Sequence, residues 1–164
     1  MKISNLYLFI WVFFLLSACN FSFEIQNFDT FKKNKTDIDT MLDKWHRAAA
    51  TADFNTYFAL LDNDAVFVGT DSSEVWSKNE FMNFAKPYFE RGKVWNFHPL
   101  NRHIYQEKNL LNQAWFDETL DTWMGVCRGS GVVIKKDGQW LIKHYVLSMT
   151  IPNEKVKTVL EVLK

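Results

Sequence analysis

The chain has 164 residues, of which 48% are hydrophobic and 16% aromatic, and its formal charge is zero. Residues 1–19 hold Lys2 and no acid, so the remainder carries 18 basic against 19 acidic side chains, a net of −1. This length fits one domain, and the balanced charge, with no basic stripe, argues against a nucleic-acid partner.

The first residues, "MKISNLYLFIWVFFLLSACN", join one Lys to an apolar run from Leu6 to Leu16 and then to small residues. That is the pattern of a secretory signal, and the run is shorter than the ~20 apolar residues of a comfortable membrane span. "LSAC" at Leu16–Cys19 resembles a bacterial lipobox, with Cys19 as the lipidated residue after cleavage. Asn20 follows in place of an acid, which leans towards the outer membrane, or the periplasmic side of the cell envelope. With Cys19 committed to lipid, Cys127 is left without a disulfide partner and reads as a small buried residue.

Residues 20–36 have no clean period and are expected to form a tether, with the domain proper over 37–164. Ile38, Met41, Leu42, Trp45, Ala48, Ala49 and Ala52 fall at helical spacing, and Phe54, Tyr57, Phe58 and Leu61 outline a second short helix. "DND" at 62–64 is expected to end it, with a strand at 65–70 and a loop at "DSSEVW". Ser77 and Glu80 form a capping box opening a helix that carries Phe81, Phe84, Ala85, Tyr88 and Phe89. From Val94 onwards, four runs of alternating β-branched, aromatic and polar residues predict an antiparallel meander, with Asp137-Gly138 as a hairpin turn. Pro152 stops the last strand, and Val156, Val159, Leu160 and Leu163 mark a final helical face. The order is α+β: a strongly curved antiparallel or mixed sheet wrapped as a cone around N-terminal helices, enclosing a pocket.

This order resembles the nuclear transport factor 2-like superfamily, in its SnoaL-like branch. The resemblance is carried by "MLDKWHRAAATADFNTYFALLDNDAVFVGTD", "SKNEFMNFAKPYF", "AWFDETL" and "RGSGVVIKKDGQWLIKHYVLSMTIPN", and covers about residues 37–153. It implies a cone-shaped sheet closed by helices around a pocket. Members of the superfamily include isomerases, cyclases, dehydratases, hydrolases and binding proteins without catalysis, so the resemblance selects no reaction.

The candidate chemistry centres on adjacent acids, Asp117 and Glu118, which an extended strand must point to opposite faces. The preferred register turns Trp115, Asp117 and Thr119 inward; the other turns Glu118 inward beside Ala114 and Phe116. Lys143 is costly to bury, which assigns His144 on the last strand to the interior, and Arg128 is expected inside with an acid partner. Asp117 and His144 are thus the candidate acid–base pair, with Arg128 as an anion clamp. A buried ion pair holding the strands in register is the structural alternative. Trp45, Tyr57, Phe67, Trp76, Phe84, Trp95, Phe97 and Trp140 are the candidate pocket lining, and Arg102 is expected at the mouth. The four histidines lack recurrent metal-ligand spacing, so no metal and no cofactor are expected.

The leading expectation is a lipid-anchored envelope domain, homodimeric through its outer sheet face, that binds a small, partly apolar organic molecule without catalysis. A metal-independent isomerase or dehydratase using Asp117 and His144 is the first alternative. An envelope interaction module with a pocket filled by its own side chains is the second.

Overall fold

The computed structural model describes residues 29–163. The proposed signal, Cys19 and residues 20–28 lie outside the described residues.

Helix α1 covers residues 29–50, and the apolar positions from Ile38 to Ala49 are buried along one stripe, as their spacing requires. The helix starts inside the segment expected to be a tether. Its first turns are held by Asn34, which is buried and bonded to Gln106 and to the carbonyl of Leu111, with Lys135 donating to its side-chain oxygen. A polar side chain can nucleate docking in this way without any apolar period. Asp53 caps α2 (Phe54–Ala59), accepting from the Thr56 amide.

Strand β1 spans Leu61–Val68 and takes in "DND" rather than starting after it. Asp62 is buried within it and pairs with Lys136 and Lys143, and a register irregularity between Leu61 and Val66 accommodates the acids. Strand β2 (Val75–Ser77) occupies what reads as loop, and the Ser77–Glu80 capping box opens α3 (Lys78–Glu90). Gly92, at positive φ, follows the end of α3.

The meander comprises β3 (His98–Tyr105), β4 (Gln113–Thr122), β5 (Gly125–Lys136) and β6 (Gln139–Met149). Asp137 and Gly138 both adopt positive φ in the β5–β6 hairpin, the conformation a tight two-residue turn needs. The six strands run in the order β2-β1-β6-β5-β4-β3, with β1 parallel to β6 and all other pairs antiparallel. This curved, unclosed mixed sheet wraps its concave face around α1, α2 and α3. A short 3-10 turn (Asn153–Lys155) and α4 (Val156–Val162) end the chain with no buried side chain.

A bulge decides which residues face inward. Val132 pairs with His144, but Val133 pairs with Ile142, so Lys143 is the extra residue in β6. Trp140 and Ile142 point inward before the bulge, Tyr145 and Leu147 after it. On the neighbouring β4, Ala114, Phe116, Glu118 and Leu120 are the buried set.

Candidate functional site

The inward row of β4 places Glu118 where water does not reach: its relative exposure is 0%. Three groups meet its carboxylate. His46 Nε2, from α1, lies 2.7 Å from Oε1; the Tyr145 hydroxyl, from β6, donates to the same oxygen at 3.3 Å; Arg102 Nε, from β3, donates to Oε2 at 2.9 Å. Arg102 Nη2 stands 2.9 Å from Oε2 as well, but off-line for a hydrogen bond. On its outer side, Arg102 Nη1 reaches the carboxylates of Asp39 and Asp43, at 2.7 and 2.8 Å. These acids sit one helical turn apart on α1, followed by His46, so one face of the helix supplies both ends of the network.

Burial alone would raise the Glu118 carboxyl, but the hydrogen bond and charge of His46, with the charge of Arg102, outweigh it and hold the group below its ordinary value. Glu118 is therefore an ionised acceptor. An ionised carboxylate can only accept, so His46 Nε2 carries the proton in their bond. No described residue bonds to Nδ1.

His46 is also part of a cavity wall. A cavity of about 160 Å³ opens inside the cone, bounded by Trp45, His46, Tyr57, Trp76, Trp95 and Tyr145, with Glu74 and Trp123 also on its lining. Ligand pockets more often measure roughly 300–1,000 Å³. A dry cavity of about 150 Å³ nonetheless suffices for benzene, so this one has the size of a single ring. Its walls are flat: Phe81 stacks on Phe67 at 4.0 Å and on Trp95 at 5.7 Å, and Trp76 stacks on Phe84 at 4.7 Å. A second, wider depression of about 490 Å³ runs outside, between α1 and β3, beside Lys35, Asp39 and Arg102. It is an open surface groove whose one buried cation, Arg102, is already engaged by three carboxylates. The inner cavity is the candidate site.

The structure brings seven of the expected lining residues to this cavity: Trp45, Tyr57, Phe67, Trp76, Phe84, Trp95 and Phe97. Others lie elsewhere. Asp117 is on the outer face, near His103 Nδ1 at 3.3 Å and accepting from the Tyr105 hydroxyl at 3.1 Å. His144 is on the outer face too, because the bulge at Lys143 resets the alternation, so the Asp117–His144 pair expected inside does not form. Arg128 is exposed, opposite Thr119 and Ser148, and clamps nothing in the cavity. Trp140 is buried at the other end of β6 beneath Lys135. Arg102 stands behind Glu118 instead of at the mouth. His46 and Tyr145, which sequence reasoning passed over, form the polar wall, and Glu118, the inward acid of the alternative register, stands behind His46. The signal for His46 was available: it follows Leu42 by four residues and precedes Ala49 by three, inside the apolar stripe. Among the described residues no group of three or more His, Cys, Asp or Glu could hold a metal ion.

The family model for the SnoaL-like domain matches residues 38–152. The chain belongs to the SnoaL-like domain family. Solved structures with the same fold include an NTF2-like protein of unknown function from Pseudomonas putida KT2440, with 14% identity and a TM-score of 0.60, covering 73% of this chain and 89% of that one. A candidate scytalone dehydratase from Novosphingobium aromaticivorans is 16% identical, with a TM-score of 0.62 over 75% of this chain and 88% of that one. A candidate aromatic ring hydroxylase from the same organism is 14% identical, with a TM-score of 0.61 over 73% and 91%. At these identities the likeness establishes the fold of the SnoaL-like domain and leaves its chemistry to its own residues. No curated protein matches the chain.

Proposed function

We propose that this SnoaL-like domain binds a small cyclic organic molecule in its aromatic cavity and that His46, backed by Glu118, transfers a proton to or from it. One observation carries the reading: the His46 imidazole forms part of the cavity wall while its Nε2 is locked at 2.7 Å onto a carboxylate that is wholly buried. A carboxylate behind an imidazole fixes its tautomer and steadies the imidazolium formed when Nδ1 accepts a proton. Glu118 itself is saturated by His46, Arg102 and Tyr145 and serves as the orienting anion. The reaction class that fits is a metal-independent isomerisation or dehydration: a C–H bond breaks, His46 holds the proton, and the electron pair forms a double bond. The proton then returns at another carbon, or leaves with a hydroxyl group as water. The candidate dehydratase among the structural neighbours agrees with this class.

Cyclohexanone in heavy water tests it, with exchange of its α-hydrogens followed by proton NMR. The native chain is expected to speed exchange, and His46→Gln to lose about 100-fold of that rate. Cyclohexanone binding without exchange would make the protein a binder only; no binding would remove the cavity from consideration.

The sequence also supports export and lipid anchoring at Cys19, on the envelope side of a bacterial membrane. Incorporation of labelled palmitate that Cys19→Ala abolishes is the expected result. Apolar and aromatic groups on the outer sheet, including Tyr105, Trp115 and Val126, support a homodimer through that face. Sedimentation of the purified chain at twice the monomer mass is the expected outcome.

A further inference from the structure

Two hydrogen-bond donors in the cavity wall have nothing to donate to. The Trp45 indole Nε1 and the Tyr57 hydroxyl are both buried and both without a hydrogen-bond partner in the protein. Their residues are 2% and 1% exposed. The two rings stack at 5.0 Å and 23°, and Trp45 lies 5.1 Å from the His46 ring, so both donors belong to the same side of the cavity as the imidazole. Buried polar groups in native proteins are almost always bonded, because leaving one unpaired is costly. The Trp140 indole is also unpartnered, but Trp140 is not part of the cavity wall and implies no ligand.

We infer that Trp45 Nε1 and Tyr57 Oη form an oxygen-acceptor subsite, and that the cavity takes an uncharged, single-ring molecule bearing a phenolic or carbonyl oxygen. The inference deepens the proposed function and rests on the cavity being a ligand site. Three features narrow the class. The volume of about 160 Å³ admits one ring. The stacked walls suit a flat one. No cation is left to receive an anionic ligand: Arg102 is spent on Glu118, Asp39 and Asp43, and Glu74 adds negative charge to the lining. Both donors are neutral. Burial pushes the Tyr57 phenol well above its usual range, against a smaller pull from the Trp95 indole N–H, which can only donate towards the Tyr57 oxygen and leaves the O–H without an acceptor; the phenol stays protonated and donates.

Phenol and toluene differ by one OH-for-CH₃ exchange and make the test. A cavity with no partner to offer prefers toluene, because burying an unpaired hydroxyl costs on the order of tenfold in affinity or more. A cavity with unpaired donors reverses the order. Titration of the purified full chain is expected to show phenol binding at least tenfold tighter than toluene, and benzoate weaker than phenol. Tyr57→Phe removes only the hydroxyl; it is expected to weaken phenol by about five- to tenfold and leave toluene within about twofold. The Trp45 indole N–H resonance, followed in ¹H–¹⁵N spectra, should move downfield with phenol and not with toluene. That measurement on the native chain stands even if a variant fails to fold. Equal or tighter binding of toluene, or an unmoved Trp45 resonance in the phenol complex, overturns the subsite while leaving the cavity a binding site. Binding of neither compound overturns the cavity reading and the subsite with it.

Discussion

His46 and Glu118 are 72 residues apart in the chain and 2.7 Å apart in the fold. One comes from the middle of an apolar helix stripe, the other from the inward row of a strand, and each supplies the other with a buried partner. A lone carboxylate at this depth would be forced neutral, and a lone imidazole would leave a ring nitrogen unpaired. The pair is therefore a condition of the core as well as a candidate working part.

That dependence gives the first expected outcome. Glu118→Gln removes the charge that His46 and Arg102 both face, and breaking one side of a buried pair costs roughly 3–5 kcal/mol. Its neighbour Asp117, partly solvated on the outer face, should cost below about 1 kcal/mol as Asp117→Asn. Urea denaturation of both variants checks this, and similar losses at the two positions would contradict the observed register.

Much of the architecture was written in local patterns. The capping box of α3, the Asp137-Gly138 hairpin, the apolar stripe of α1 and the meander of β3 to β6 each follow from a few neighbouring residues. The site was harder because it depends on a one-residue event. Alternation along "QWLIKHYVL" points Trp140, Ile142 and His144 to one face, and that holds only until the bulge at Lys143. Lys143 goes out to meet Asp62 and Asp64, His144 follows it, and Tyr145 takes the inner place. Asp62 looks like a helix breaker in sequence, and its pairing across strands becomes visible only once β1 lies beside β6. The choice between Asp117 and Glu118 was likewise undecidable from β4 alone. Ala114 and Phe116 mark the core row only when Arg102 and His46 are known to wait for the acid beside them.

Acid should weaken the fold through these same carboxylates. Burial raises Glu118, but His46 and Arg102 bring it below its ordinary value; burial raises Asp62 too, but hydrogen bonding with Asp64 and with the Lys136 and Lys143 ammonium groups brings it below its ordinary value as well. Groups depressed in the folded state contribute their full stabilisation above their unfolded pKa, about 4 for these acids. The contribution is lost as pH falls through the lower folded values. Melting temperature is expected to hold between pH 7 and 5 and to drop below about pH 4. Asp62→Asn should start lower and fall less steeply, as measured by calorimetry across that range.

The two inward glycines of β5 make a packing prediction. A methyl group on Gly129 would sit 2.2 Å from the Tyr145 hydroxyl and 3.1 Å from Glu118 Cγ. Tyr145 packs against Trp45 at 4.7 Å and Phe67 at 5.4 Å, so its retreat is limited to the cavity side. Gly129→Ala is expected to cost about 1–3 kcal/mol, the usual range for overpacking a core, and to disturb the Tyr145–Glu118 bond. A melting temperature unchanged from native would show that the ring can yield.

The tyrosine hydroxyls on either side of Trp45 should respond in opposite ways to removal. Tyr145 donates to Glu118, and a hydrogen bond to a charged group contributes roughly 1.5–3 kcal/mol, so Tyr145→Phe is expected to destabilise by about that amount. Tyr57 donates to nothing in the protein, so Tyr57→Phe removes an uncompensated buried hydroxyl and should leave stability unchanged or raise it. Both phenols are pushed well above their usual range, by burial at Tyr57 and by burial and the Glu118 charge at Tyr145. A tyrosine with a raised folded pKa loses its stabilisation as pH climbs past about 10, where the unfolded chain ionises first. Absorbance at alkaline pH should therefore show these two tyrosines ionising only as the chain unfolds. A residue that is better for stability when removed, yet sits in the cavity wall beside His46, is what a site kept for a ligand looks like. If Tyr57→Phe instead weakens the free protein as much as Tyr145→Phe does, its hydroxyl is already satisfied inside the fold and has no role left for a ligand.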